Sequence, residues 1–198
     1  MIDLTPATAR LAALVRNVDD DQLDRPTPCP DYRVGDLIDH IGGLAIAFTG
    51  AAHKARHDGP PTGPPGDAGR LGPDWRARIP GQLDTLAVAW RSPDAWEGMT
   101  EAGGLDLPGE VAGLVALDEV VVHGWDLAVA TGQPFTCESE LVEAAMRFVE
   151  PFAEPGREAS RNGLFGPVVP VEPDAEPLDR LLGLTGRDPS WKSGQVVT

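Results

Sequence analysis

The chain has 198 residues, 41% of them apolar, which is enough for one sizeable core or for a domain with a small extension. Its 31 acidic against 16 basic side chains leave a formal net charge of −15. Such a surface repels phosphate backbones and anionic lipid, so neither nucleic acid nor a membrane is expected as a partner. No basic-then-apolar leader opens the chain, and no apolar run approaches membrane length. Cys29 and Cys137 lie far apart and outside any CxxC pattern, which points to a reduced, cytoplasmic protein without a disulfide framework.

Leu4, Ala7, Leu11, Leu14, Val15 and Val18 recur at helical spacing, predicting an amphipathic helix over 4–18. A short turn over 19–23 follows. Pro26, Pro28 and Pro30 then impose an extended connection, because each fixes its own φ and restricts its predecessor. Asp31 is the expected cap of the next helix, over 34–57, whose buried stripe is Val34, Leu37, Ile38, Ile41, Leu44, Ala45 and Phe48. His40 sits on the flank of that stripe. Gly42 and Gly43 after it each cost about 1 kcal/mol of helix stability relative to alanine, which implies close helix approach or room for a ligand. His53 and His57, among charged neighbours, read as solvated.

Residues 59–72 are rich in proline and glycine and read as a loop. A third helix is expected over 74–91, with Ile79, Leu83, Leu86 and Trp90 inward and Pro80 either interrupting it or marking its start. Residues 96–107, with Gly103-Gly104 between short apolar runs, read as a β-hairpin or an irregular excursion. Pro108 is the expected first residue of a long helix that Gly132 ends. A further helix over 139–152 turns Leu141, Ala144, Ala145, Phe148 and Val149 inward. Beyond 155 the sequence is polar and proline-rich, with one short helix over 176–184, Arg187-Asp188-Pro189-Ser190-Trp191, and a frayed end. The expected domains are therefore a helical bundle over 1–155 and an extension over 156–198 packed on it.

The chemistry is expected in the long helix. Glu119 and His123 are four residues apart, so they share one face, and Asp126 lies a turn further on. Val115, Val122 and Val129 around them are apolar, so the acid and the imidazole point toward a core, where a carboxylate needs a partner or a cation. An exposed hydrogen-bonded Glu/His pair is the plain alternative. His40, from another helix, supplies a third donor. A His/Glu/His set leaves a fourth tetrahedral position open, as in catalytic zinc sites. Asp126 reads either as an acceptor that orients His123 or as an ordinary solvated helix acid. Cys29 reads as a buried structural thiol and Trp125 as core packing.

Four segments together resemble one family. They are Thr27-Pro-Cys-Pro-Asp-Tyr, Asp-Leu-Ile-Asp-His40, Glu119-x-x-x-His123-Gly-Trp-Asp-Leu-Ala and Gly-Arg-Asp-Pro-Ser-Trp191. They are similar to the DinB/YfiT-like metal-binding superfamily, in the branch related to the N-terminal domain of mycothiol-dependent maleylpyruvate isomerase. The resemblance implies an all-α fold, a four-helix bundle with long crossovers. It also implies a divalent metal, commonly Zn2+, held by residues that correspond to His40, Glu119 and His123. Characterised relatives are isomerases and S-transferases that use mycothiol or a similar thiol. The isomerase carries an additional C-terminal α/β domain, which the proline-rich residues after 155 do not resemble. The expected function is thus a metal-dependent transferase or isomerase with a small thiol cosubstrate and a small electrophile. The alternatives are a zinc-dependent hydrolase with the same ligands and a non-catalytic metal or small-molecule binding protein. A homodimer is left open. Arg33 and Arg76 are candidates to hold the rest of a thiol molecule.

Overall fold

The computed structural model describes residues 1–55, 65–161 and 163–193. Its helices are α1 (Thr5–Arg16), α2 (Val34–Ala52), α3 (Trp75–Ala89), the single-turn α4 (Pro93–Trp96), α5 (Gly109–Thr131), α6 (Ser139–Ala153) and α7 (Pro177–Leu184). The antiparallel strands β1 (Met99–Ala102) and β2 (Leu105–Pro108) pair between α4 and α5. The fold is all-α, with this small sheet as its only regular β structure among the described residues.

Four helices make the bundle. Helix α3 packs on both α1 and α2, and α5 closes the ring by packing on the same two. Helix α5 also carries α6 on its outer side, and α6 carries α7. Because α5 is covered by neighbours on most of its circumference, it is apolar nearly all round rather than along one stripe. Ala112, Ala116, Leu117, Val121, Leu127 and Ala128 are almost fully buried. Small residues set the approach distances. A Cβ on Gly113 would lie 2.6 Å from the Trp96 ring and 2.9 Å from Trp90, so the two indoles occupy the space that a side chain would need. On α2, a Cβ on Gly42 would meet Ile79 and the Gln82 amide of α3 at 3.2 Å, whereas one on Gly43 would meet nothing. Gly42 therefore serves helix approach; Gly43 does not.

Several expectations change in detail. Helix α2 ends at Ala52 rather than near 57, with exposed His53 as its C-cap. His57, the first part of the loop (59–64) and the last five residues lie outside the described ones. Asp31 is exposed and does not cap α2; the cap is Arg33, whose backbone N–H donates to the Asp36 carboxylate three residues on. The first helical N–H groups, of Val34 and Gly35, donate instead to the Arg25 and Leu23 carbonyls at 3.0 and 2.8 Å, so no acid side chain is needed there. Pro80 lies inside α3, near its start. Residues 99–108 form the hairpin, with Gly103 (φ 59°) and Gly104 (φ 76°) in the two-residue turn that requires positive φ at both positions. Pro108 ends β2 and precedes the first residue of α5. Gly132 ends α5 in the left-handed conformation, φ 75°.

Candidate metal centre

Helices α2 and α5 lie side by side, and their facing surfaces bring His40, Glu119 and His123 together. Each offers one ligand atom, and these atoms all lie within 4.8 Å of one another. His123 Nε2 is 3.1 Å and His40 Nε2 is 4.0 Å from the same oxygen, Glu119 Oε2. Tetrahedral zinc with bonds of about 2.0–2.1 Å spaces its donors about 3.3 Å apart. The set therefore needs only small side-chain adjustments to close on a cation. The two rings are nearly perpendicular, 87°, with centroids 5.0 Å apart, so their Nε2 edges converge rather than stack.

The outer nitrogens also have partners. His123 Nδ1 is 2.9 Å from Asp126 Oδ2, and Asp126 is completely buried. The same oxygen accepts from Arg187 Nη2 at 3.2 Å. Asp126 is thus the acceptor behind His123 and not a solvated acid. His40 Nδ1 lies 3.5 Å from Tyr32 Oη, at the long limit of a hydrogen bond, and Gly66 N–H approaches the same hydroxyl at 3.4 Å. Both imidazoles are held from outside with Nε2 directed inward, which is how ligating histidines are usually supported.

Electrostatics distinguish the two rings. Burial dominates at His40, and with the repulsion of His123 it lowers the pKa to about 4, so this ring is neutral. Burial also opposes charge on His123, but the hydrogen-bonded Asp126 and Glu119 on either side outweigh it and raise the pKa to about 9. Glu119 resists burial through the same His123 hydrogen bond and stays below the usual carboxylate range. Asp118, the neighbouring buried acid, is pushed well above the usual carboxylate range by burial. Without metal, then, a proton on His123 holds Glu119.

Cys29, His123 and Asp126 form a second grouping within the same 4.8 Å limit. It suits a cation poorly. The Arg187 guanidinium already bonds Asp126 Oδ2, His123 Nδ1 is engaged by that oxygen, and burial pushes the Cys29 thiol up to about 11. Cys29 is buried, 8% exposed, as a structural thiol should be, and Trp125 is buried in the core.

The open side of the main site is polar and accessible: the His40 and Glu119 side chains keep 24% and 30% of their surface. On its inner side, Glu119 adjoins an apolar slot lined by Leu11, Ile41, Phe48, Leu83 and Val120, with about 10 Å³ of free volume, room for a water-sized molecule. Neither arginine proposed from the sequence reaches the site. Arg33 Nη1 donates to the Asp24 carbonyl, and Arg76 bonds the Val18 carbonyl and Asp20 while stacking on Trp75. Arg187 is the arginine that does, and Tyr32 is the other contributor not singled out from the sequence. Both stand inside segments already notable, Thr27-Pro-Cys-Pro-Asp-Tyr32 and Gly-Arg187-Asp-Pro-Ser-Trp.

Residues 4–128 match the family described as the mycothiol maleylpyruvate isomerase N-terminal domain. The chain belongs to this family. His40, Glu119, His123 and Asp126 all fall within the matched stretch, while Arg187 lies beyond it. The chain is also 34% identical over 185 residues to an uncharacterized protein of Mycobacterium tuberculosis strain ATCC 25618 / H37Rv, covering 89% of this chain and 91% of the relative. An uncharacterized protein of strain CDC 1551 / Oshkosh matches to the same extent. No solved structure matches the chain significantly. Among the described residues no helix is long and apolar enough to cross a membrane.

Proposed function

We propose that this family member is a divalent-metal-dependent enzyme, with zinc as its metal, that joins a low-molecular-weight thiol of the mycothiol type to a small electrophile or uses it to isomerise one. The observation that carries the reading is the convergence of His40, Glu119 and His123 on one open-sided point, each imidazole being supported at its outer nitrogen. Two imidazoles and one carboxylate are donors suited to zinc, and three protein ligands are the number that leaves a position for chemistry. The family's description names a mycothiol enzyme, which points to a thiol as the molecule taking that position. A bound divalent cation would supply a Lewis-acidic centre at which a thiol is deprotonated near neutral pH.

The chain's own residues do the rest. Asp126 fixes the ring of His123, and Tyr32 stands against the outer nitrogen of His40. The exposed edges of His40 and Glu119 form the face through which small molecules arrive. Two unpaired cysteines fit a reducing, cytoplasmic setting, where such thiols are plentiful.

Zinc titration followed by mycothiol or glutathione, with calorimetric detection, tests the reading. One equivalent of zinc should bind, and its binding should be lost in His40→Ala, Glu119→Ala and His123→Ala. A thiol should then bind only to the zinc-loaded protein. Zinc-dependent ester turnover with no thiol binding would instead establish hydrolysis. Binding of zinc and thiol without turnover of any electrophile would indicate a capture protein. Full zinc retention by His123→Ala would remove the ligand assignment.

A further inference from the structure

The guanidinium of Arg187 comes from the segment after α7, outside the stretch that defines the family match, and 61 residues along the chain from the carboxylate it bonds. Its delivery is built into the backbone. Helix α7 ends with Gly186 in the left-handed conformation, φ 87°. Arg187 N–H donates back to the Leu182 carbonyl at 2.8 Å and Gly186 N–H to the Gly183 carbonyl at 3.1 Å. These are the two crossed bonds of the glycine-terminated helix end. They reverse the chain at a fixed angle. Gly186 lies so close to Gly166 that a Cβ would stand 2.7 Å from the Gly166 Cα, and buried Arg161 clamps the Leu184 carbonyl at 2.7 Å. Arg187 is therefore aimed by an anchored turn rather than by a free tail. Its Nη1 bonds the Thr185 carbonyl at 3.0 Å, and its side chain is only 11% exposed.

A buried guanidinium is costly unless it meets an anionic partner in good geometry. Here that partner is Asp126 Oδ2, the same atom that holds His123 Nδ1. One oxygen thus takes a hydrogen bond from each side, and its position fixes the imidazole.

We propose that Arg187 is the positioning residue of the His123 ligand: through Asp126 it locks the ring so that Nε2 faces His40 and Glu119, which makes the C-terminal segment part of the metal site. The inference rests on the zinc reading given above, but the fixed ring is a property of the metal-free protein as well.

Two measurements on the full chain test it. In the metal-free protein, the His123 Nδ1–H should give a downfield proton resonance protected from exchange. Arg187→Gln should broaden or abolish it, and Arg187→Lys, which keeps a cation beside Asp126, should restore part of it. Zinc affinity should fall by about 10- to 100-fold in Arg187→Gln, the usual effect of removing support behind a ligand, and less in Arg187→Lys. Ile79→Val, which loosens the bundle core away from this segment, should lower the melting temperature and change neither readout. An Arg187→Gln protein with the wild-type resonance overturns the proposal, as does wild-type zinc affinity in that variant. If wild-type protein binds no zinc, the metal reading fails, while the resonance still decides whether Arg187 fixes the ring.

Discussion

Zinc binding should be governed by one proton, the one on His123. Its pKa of about 9 places that proton on the ring throughout the neutral range, whereas His40, at about 4, is already free to coordinate. A metal at Nε2 of His123 must displace the proton, so affinity falls as pH falls. Between pH 6 and pH 8 the apparent affinity should rise by about tenfold per pH unit, about 100-fold in all, and level off above about pH 9. Glu119, held below the usual carboxylate range, is ionised across this window and adds no slope. Calorimetric zinc titrations at pH 7 in two buffers of different ionisation enthalpy count the proton directly, and about one per zinc is expected. Equal zinc affinity at pH 6 and pH 8, with no proton released, would refute the reasoning: either His123 is not protonated in the free protein or it is not a ligand.

In the metal-free protein the two histidines should give a stability maximum near neutrality by urea denaturation at a series of pH values. The raised pKa of His123 contributes stability that is complete below its ordinary value of 6.5 and is lost as pH rises through about 9, while the lowered pKa of His40 causes loss as pH falls from 6.5 toward about 4. Leu117→Ala empties a fully buried position on α5 and should cost about 2–5 kcal/mol in the same assay. Gly113→Ala adds only a methyl group, yet it meets Trp96 and Trp90 at under 3 Å and should cost about 1–3 kcal/mol; a variant as stable as wild type would mean that the indoles yield freely. The net charge of −15 should prevent DNA binding at physiological salt in a mobility-shift assay, and tight binding with a steep salt dependence would contradict that expectation.

Much of the candidate site was legible in the chain because its key spacing is local. Glu119 and His123 share a helix face by the geometry of 3.6 residues per turn, and the apolar residues around them turned that face toward the core, where His123 is buried while Glu119 keeps 30% of its side-chain surface. The turn chemistry was equally local: Gly103-Gly104 and Gly132 adopt the positive φ that other residues avoid. What the sequence left open were matters of which surfaces meet. Periodicity put His40 on a flank but could not say that this flank faces Glu119 at 4.0 Å. It could not separate Gly42, pressed against Ile79, from Gly43, which touches nothing. Asp31 had the right residue type for a cap, yet the hydrogen bond went to Asp36, where the chain enters the helix. Asp126 had two readings with one local pattern, and its burial beside His123 chose between them. Arg187 is the extreme case. A buried guanidinium is stabilised by whichever carboxylate the fold brings to it, and here that carboxylate is 61 residues away, so only the docking of α7 on α6 and of α6 on α5 decides that the pair exists.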